Sequence, residues 1–234
     1  MAGKLYGVGI GPGDPELITI KAKRVLKESD VVAVPKAEEG KPSLALAIAK
    51  EAMGEGKELL ELIFPMCYDG NTLKKSRSAA ILKIRDRLDC GKNVAFATLG
   101  DPTVYSTYMY IHKLLRADGY DAEIIPGITS FCASAAKAGI SLGENREAIA
   151  IVPSAYECEN LENILRSFDS IVLMKVSKNI PKLKKLLDKE GLYGKAVLVS
   201  RCGLDNELIL RDLDLLKRER VSYFSTIIIK KSGV

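Results

Sequence analysis

The sequence predicts an α/β protein with two domains, because short apolar segments alternate with longer segments of helical periodicity along nearly the whole chain. Its 234 residues are enough for one large domain or two smaller ones with a buried core. Hydrophobic residues make up 47% and charged residues 28%, as is typical of globular proteins. Strands follow one another more closely late in the chain, so we expect an N-terminal α/β domain and a C-terminal α+β domain.

Strands and helices are predicted to alternate in the first half of the chain. The predicted strands are Leu5–Ile10, Val31–Val34, Leu59–Phe64, Val94–Leu99 and Glu123–Ile125. The predicted helices are Glu16–Glu28, one capped by Ser43 and running through Ala49, one capped by Asn71 and stopped by Gly91, and one over about Ser106–Ala117. The run Val94–Leu99 is almost continuously apolar, which indicates a strand buried on both faces.

Pro126 and Gly127 interrupt this alternation. The helices predicted after them are Ser130–Ala138, Glu159–Phe168 and one that Pro181 opens and Gly191 ends. The strands predicted after them are Ala148–Val152, Ile171–Met174, Ala196–Ser200, Glu207–Leu210 and Phe224–Lys230. We therefore expect an N-terminal domain at residues 1–122 and a C-terminal domain at residues 123–234, joined near residues 119–127.

The composition excludes several classes of protein. No apolar run approaches the roughly 18–20 residues that span a bilayer, and the first residues lack the layout of a signal peptide, so we expect a cytoplasmic protein without a membrane segment. The five cysteines lie far apart without a C-x-x-C pair, and His112 is the only histidine, so no metal site or disulfide framework is indicated. The net charge of +5 is spread along the chain, which does not indicate a nucleic-acid partner but suits a small polycarboxylate.

A glycine-rich loop follows the first strand, with the sequence Gly7-Val8-Gly9-Ile10-Gly11-Pro12-Gly13-Asp14-Pro15. The dinucleotide fingerprint G-x-G-x-x-G requires a third glycine, but Asp14 or Pro12 occupies that position in the two possible alignments. An aspartate at a helix entrance would also repel a pyrophosphate. Two interpretations stay open: a tight turn in which Asp14 caps the next helix, or a loop whose backbone lies against a large flat ligand.

Two further motifs follow later strands. Gly100-Asp101-Pro102 lies directly after Val94–Leu99, where ligands of open α/β sheets bind. Asp101 is therefore either a ligand contact or an ordinary turn residue. Thr129 and Ser130 precede a run of small residues, which favours a capped helix with close packing.

Basic residues come directly after two strands of the second half. Lys175 follows Met174, and Arg201 precedes Cys202. These cations either pair with substrate carboxylates or remain solvated, and Met174 is typical of core filling. His112 has apolar neighbours at helical spacing, so we expect a structural role for it.

In their order and spacing, these motifs resemble those of the tetrapyrrole (corrin/porphyrin) methylase family. The resemblance covers nearly the whole chain and runs through Gly7–Pro15, Gly100-Asp101-Pro102, Pro126–Ser130 and Met174-Lys175. Three segments are similar to the branch of the family that methylates C-20 of precorrin-2 or cobalt-factor II, namely Val104-Tyr105-Ser106-Thr107, Thr129-Ser130-Phe131 and Arg201-Cys202-Gly203.

The resemblance implies a homodimer of two-domain subunits, with S-adenosylmethionine bound in a trough between the domains and S-adenosylhomocysteine as the product. It implies a cofactor pocket formed by Pro35, Leu99, Gly100, Asp101, Val104, Tyr105, Thr129, Ser130, Met174, Cys202, Thr226 and Ile227. It implies a tetrapyrrole substrate that contacts Gly9, Gly11, Pro12, Gly13, Asp14, Lys175 and Arg201. A proton must leave the methylated carbon to a weak base or to water, and Asp14 and Asp101 are the candidate residues. Any cobalt would arrive within the substrate.

Other functions compete with this one. Family members that act on other ring positions share the same loops, so another C-methyltransferase of the corrin ring is the main alternative, and a diphthamide-type protein methylase is a weaker one. The mismatched fingerprint disfavours an NAD-dependent oxidoreductase. A non-catalytic nucleotide-binding module would bind its ligand without transferring a methyl group.

Overall fold

The structure is a computed structural model that describes residues 1–67, 69–153, 157–178, 180–217 and 221–234. Its contacts divide the chain into two compact units, Met1–Thr129 and Ser130–Val234. The division falls after the expected boundary at residue 122, because the strand that begins at Ala122 pairs with the first strand of the N-terminal sheet. In the described ranges, no helix is both long enough and apolar enough to cross a membrane.

The first unit is built on a parallel sheet of five strands. The strands are β1 (Leu5–Gly9), β2 (Val31–Lys36), β3 (Glu58–Ile63), β4 (Val94–Thr98) and β5 (Ala122–Ile125). They lie in the order β3-β2-β4-β1-β5 and agree with the predicted strands to within two residues. Every residue of β4 is buried, as its apolar sequence predicts for the centre of a parallel sheet.

Four α-helices accompany this sheet: α1 (Ile20–Glu28), α2 (Leu44–Met53), α3 (Gly70–Asp89) and α4 (Tyr108–Ala117). Ser43 caps α2 as predicted, since its hydroxyl accepts a hydrogen bond from Leu46 N at 3.2 Å. The last predicted helix begins at Tyr108 rather than Ser106, because the Ser106 hydroxyl accepts a hydrogen bond from Tyr108 N at 3.2 Å.

Two predicted helix starts are wrong. Asn71 does not cap α3, because the Asp69 carboxylate accepts the hydrogen bond from Thr72 N at 2.7 Å. A negatively charged cap is further favoured by the helix dipole. The helix expected over Glu16–Glu28 is interrupted, because Thr19 supplies its own cap and starts α1 after a short 3₁₀ turn.

Aromatic packing fills the core between the sheet and α4. The Phe96 ring of β4 lies 5.6 Å from the Tyr108 ring, measured between centroids. Gly7 makes this packing possible, because a Cβ there would lie 2.0 Å from the Tyr108 ring. The Tyr108 hydroxyl lies 3.0 Å from Nδ1 of His112. The only histidine of the chain therefore has the structural role that its spacing predicts.

We expect His112 to make the stability of the protein depend on pH. Burial, with a smaller contribution from Arg116, holds the pKa of the imidazole below its ordinary value. The folded state therefore disfavours the imidazolium, and the free energy of unfolding should fall as the pH drops below the unfolded pKa of about 6.5. His112→Gln should show a flatter dependence in urea unfolding between about pH 7 and pH 5. An identical dependence in both proteins would contradict this account.

The second unit contains a mixed sheet of five strands. They are β6 (Ile149–Pro153), β7 (Ser170–Met174), β8 (Ala196–Ser200), β9 (Leu208–Leu210) and β10 (Ser225–Lys230). Their order is β6-β7-β10-β8-β9, in which β6 and β7 are parallel and all other neighbours are antiparallel. The helices are α5 (Ser130–Ala138), α6 (Leu161–Ser167) and α7 (Ile180–Lys189), and α5 coincides with its prediction. The mixed sheet agrees with the α+β character predicted for this half.

Candidate active site

Three loops of the first unit meet at the carboxyl ends of β1, β4 and β5. A Cβ on Gly9 would lie 2.6 Å from Gly127 N and 2.7 Å from Gly100 O, and a Cβ on Gly127 would lie 2.2 Å from Gly100 O. We call this contact of Gly9, Gly100 and Gly127 the three-glycine contact. Gly100 N also donates a hydrogen bond to Gly11 O at 2.8 Å. Backbone groups thus line the edge of the sheet where ligands of parallel α/β sheets bind.

The Asp101 carboxylate ties two of these loops together. Asp101 is 8% exposed, and its Oδ2 accepts a hydrogen bond from Gly127 N at 2.9 Å. Its Oδ1 accepts hydrogen bonds from Thr103 N, at 2.8 Å, and from the Thr103 hydroxyl. Both oxygens are therefore engaged within the protein, and the carboxylate fixes the position of the three-glycine contact.

The remainder of the loop after β4 is held at its far end. The hydroxyls of Thr98 and Ser106 lie 3.0 Å apart. Between them Tyr105 adopts a φ of +50°, which is strained for a residue with a Cβ, and its side chain is 48% exposed. Strained residues concentrate at binding and catalytic sites. The structure therefore presents Tyr105, with the half-buried Leu99 and Val104, on a loop that is fixed at both ends.

The glycine-rich loop after β1 has the capped turn of the first interpretation, and its contact with a large flat ligand stays a prediction. The Asp14 carboxylate accepts a hydrogen bond from Glu16 N at 2.9 Å and caps the 3₁₀ turn Pro15–Leu17. Gly11 and Gly13 are buried beside it, and Pro12 is half-buried. The loop is therefore a capped turn that also contacts the Gly100 backbone, within the same cluster as the loop after β4.

Thr129 does not have the capping role that its position favours. Its Oγ1 is buried and has no hydrogen-bond partner in the part of the chain that the structure describes. A buried hydroxyl without a partner is costly, so such groups usually bind a ligand or a water molecule. Thr129 follows Gly127 by two residues and so lies directly after the three-glycine contact.

The other predicted cofactor residues have defined positions in their own units. Thr226 of β10 pairs with Met174 of β7, and the neighbouring Ile227 is also buried. Ser130 begins α5, which packs against β8 and β10. Pro35 is the half-buried penultimate residue of β2 in the first unit, and its carbonyl accepts a hydrogen bond from the Ser43 hydroxyl at 2.8 Å. The structure thus clusters the predicted residues within each unit, and their contact with one common ligand stays a prediction.

Cys202 is a buried thiol on the loop after β8. Burial raises the pKa of the Cys202 thiol, and this effect outweighs the opposing influence of the Ser134 hydroxyl. Because the thiolate is the reactive form, Cys202 should be alkylated about tenfold or more slowly than the exposed Cys90 and Cys132 at neutral pH. Mass spectrometry after a timed iodoacetamide pulse measures the three rates. Equal rates at the three sites would show that Cys202 is accessible.

Lys175 and Arg201, the predicted substrate contacts of the second unit, lie at the ends of β7 and β8. Both adopt left-handed backbone conformations, with φ values of +57° and +55°. Within the described residues, neither side chain forms an ion pair with a carboxylate. The two cations are therefore free to bind a charged ligand.

Comparison with known proteins identifies the family. Residues 4–214 match the family model of the tetrapyrrole (corrin/porphyrin) methylases. The chain belongs to this family. It is 35% identical to the cobalt-precorrin-2 C(20)-methyltransferase of Salmonella typhimurium, over 99% of this chain and 98% of the relative. It is 38% identical to a probable cobalt-precorrin-2 C(20)-methyltransferase of Methanocaldococcus jannaschii, over 97% and 96% of the two chains.

Solved structures share the fold of this tetrapyrrole methylase. A cobalt precorrin-4 methyltransferase superposes with a TM-score of 0.75 at 25% identity, over 97% of this chain and 94% of the other. A uroporphyrin-III C-methyltransferase from Thermus thermophilus, complexed with S-adenyl homocysteine, superposes with a TM-score of 0.70 at 23% identity, over 98% and 92%. The predicted fold is thereby confirmed.

The residues of the first unit fit the methyl donor that the family implies. The donor carries hydroxyl, amine and carboxylate groups that require hydrogen-bond partners. The buried hydroxyl of Thr129 and the backbone groups around Gly100 can supply such partners. A side chain at Gly9 or Gly127 would collide with the Gly100 backbone and displace these groups, which explains why both positions are glycine.

Two contributors to the site were absent from the predicted site residues. Gly127 was recognised only as part of a Pro-Gly interruption, although a glycine after a strand of a parallel sheet is a signal of close backbone approach. An aspartate side chain in a turn commonly accepts a hydrogen bond from the backbone N–H two residues later. Thr103 lies two residues after Asp101, so this spacing could have identified Thr103 as a contributor.

Proposed function

We propose that this chain catalyses methyl transfer from S-adenosylmethionine to C-20 of precorrin-2 or of cobalt-factor II, in the biosynthesis of cobalamin. The observation that carries the proposal is the full-length similarity, at 35% and 38% identity, to two proteins named as C(20)-methyltransferases. A C(20)-methyltransferase of Sinorhizobium, at 30% identity over 97% of this chain, supports the same ring position. We further propose that the enzyme acts in the cytoplasm as a homodimer.

The protein contributes mainly by positioning. S-adenosylmethionine supplies an already activated methyl group, so the ring carbon needs alignment rather than a covalent catalyst. Asp101 holds Gly127 against Gly100 and thereby fixes the loop that carries Tyr105. The Thr129 hydroxyl, which is buried without a described hydrogen-bond partner, would bind a polar group of the donor.

The second unit supplies further contacts in this proposal. Met174, Thr226 and Ile227, on adjacent strands, would contact the donor, and Cys202 and Ser130 would add further contacts. Lys175 and Arg201 would bind substrate carboxylates. Pro35, Leu99 and Val104 would complete the donor contacts from the first unit.

We assign different roles to the two candidate proton acceptors. Both oxygens of Asp101 already accept hydrogen bonds, so Asp101 positions the loops. Asp14 uses only Oδ1 for its cap, and no described residue donates to its Oδ2. Asp14 is therefore the better placed carboxylate to accept the proton from the methylated carbon, against the Gly11–Gly13 backbone where the macrocycle would lie.

The regiochemistry of the product tests the function. The protein is incubated with S-adenosylmethionine carrying a ¹³C-labelled methyl group, and with precorrin-2 or cobalt-factor II under anaerobic conditions. Mass spectrometry should show the gain of one labelled methyl group, and NMR should place it at C-20. A methyl group at a different ring carbon would replace this function with that of another corrin-ring methyltransferase. The relative rates of methyl transfer to the two substrates show whether the enzyme prefers the metal-free ring or the ring that contains cobalt.

A further inference from the structure

Two basic residues flank the start of β10 at one edge of the second sheet. Because β7 and β8 both run antiparallel to β10, both end where β10 begins. The pairs Thr226–Met174 and Ser225–Ser200 therefore place Lys175 and Arg201 on either side of Phe224. Arg201 N donates a hydrogen bond to Phe224 O at 2.8 Å.

Both basic residues occupy backbone conformations that glycine would adopt more easily. The φ values of +57° at Lys175 and +55° at Arg201 are unfavourable for any residue with a Cβ. A turn with no other role would be more stable with glycine or asparagine at these positions. The presence of two long cationic side chains there indicates that the side chains are used.

Exposed aromatic rings lie beside these cations. Tyr223 is 40% exposed and Phe224 is 43% exposed, and the two rings pack edge to face with centroids 5.4 Å apart. The Nζ atom of Lys175 lies 5.6 Å from the centre of the Tyr223 ring. We call Lys175, Arg201, Tyr223 and Phe224 the basic–aromatic edge. Its chemistry is complementary to an apolar ring that carries carboxylates.

We propose that Tyr223 and Phe224 extend the substrate contacts already assigned to Lys175 and Arg201, so that the basic–aromatic edge binds one carboxylate-bearing ring of the tetrapyrrole. Lys175 and Arg201 bind the peripheral carboxylates, and Tyr223 and Phe224 contact the face of the pyrrole ring. The proposal rests on the proposed function, because it takes its ligand from there. The edge directly adjoins Met174 and Thr226, the proposed donor contacts. This position suits a substrate subsite, because the methyl donor and the methyl acceptor must bind next to each other.

Glycine substitutions test the edge without endangering the fold. Lys175→Gly and Arg201→Gly remove the charge and relieve the strained φ, so neither should lower the melting temperature. The matched control is Lys195→Gln, because Lys195 is exposed and lies directly before β8, at the opposite end of the strand that precedes Arg201. A fourth variant, Phe224→Ser, removes one ring.

Binding is measured anaerobically with precorrin-2 in the presence of S-adenosylhomocysteine, and in parallel with uroporphyrin III, a stable polycarboxylate tetrapyrrole. Each glycine variant should raise both dissociation constants about tenfold, as expected for the loss of a charge-assisted hydrogen bond. Phe224→Ser should weaken binding as well, and Lys195→Gln should not. The affinity for S-adenosylhomocysteine alone should be unchanged in all four variants.

Two results would overturn the subsite. One is unchanged binding of both tetrapyrroles by Lys175→Gly, Arg201→Gly and Phe224→Ser. The other is a loss of affinity for S-adenosylhomocysteine alone, which would assign the edge to the donor. These experiments measure binding and not methyl transfer. A product methylated at another ring carbon would therefore contradict the proposed function without changing the conclusion about the basic–aromatic edge.

Discussion

Gly127→Ala is expected to destabilise the first unit by about 2 to 3 kcal/mol, although alanine is a small residue in an allowed backbone conformation. The added Cβ would lie 2.2 Å from Gly100 O and 2.8 Å from Gly9 Cα. All of these atoms belong to the backbone, so no side chain can move aside. The loops after β1, β4 and β5 must separate, and the Asp101 bond to Gly127 N must lengthen.

Urea unfolding measures the loss of stability, and calorimetry with S-adenosylhomocysteine measures the loss of the donor site. We expect the dissociation constant to rise tenfold or more, because opening the three loops displaces the Gly100 backbone and Thr129 together. Gly70→Ala is the matched control, since Gly70 also lacks a positive φ and a Cβ there meets no atom within 4 Å. If Gly127→Ala were as stable as Gly70→Ala, the three-glycine contact would not constrain the fold.

The sequence was most informative where one local signal determines the structure. The apolar run at Val94–Leu99 identified the central strand β4, and the hydroxyl of Ser43 identified the start of α2. At Asn71 two acceptable caps lay two residues apart, and only the geometry of the preceding turn selects Asp69. Local propensity does not distinguish such alternatives.

The candidate site was predictable in its parts but not in its assembly. The positions of Gly9 at the end of β1, and of Gly100 and Asp101 after β4, indicated the edge of the sheet at which the three loops meet. The contact between Gly100 and Gly127 depends on the order β4-β1-β5, which places chain segments far apart in sequence side by side. The strained conformations of Lys175 and Arg201 have no signal in the sequence, because neither residue type favours a positive φ.

Asp101→Asn is expected to lower stability, donor affinity and turnover together, because Asp101 acts through the loops that it holds. An asparagine offers one acceptor oxygen where the carboxylate offers two, so either Gly127 N or Thr103 N would face an amide donor. Leaving a buried donor without its acceptor costs about 1 to 3 kcal/mol. Asp101→Ala should show a loss of the same kind, since it removes both acceptors.

Asp14→Asn separates positioning from proton removal. Asparagine caps a helix turn about as well as aspartate, so the cap on Pro15–Leu17 should persist and stability should change little. Because the amide cannot accept the proton, kcat should fall about a hundredfold or more, while the dissociation constant for S-adenosylhomocysteine stays constant. Circular dichroism melting, calorimetry and steady-state kinetics on both variants give the comparison. If Asp101→Asn kept its stability and donor affinity and lost only kcat, the roles assigned to the two aspartates would be reversed.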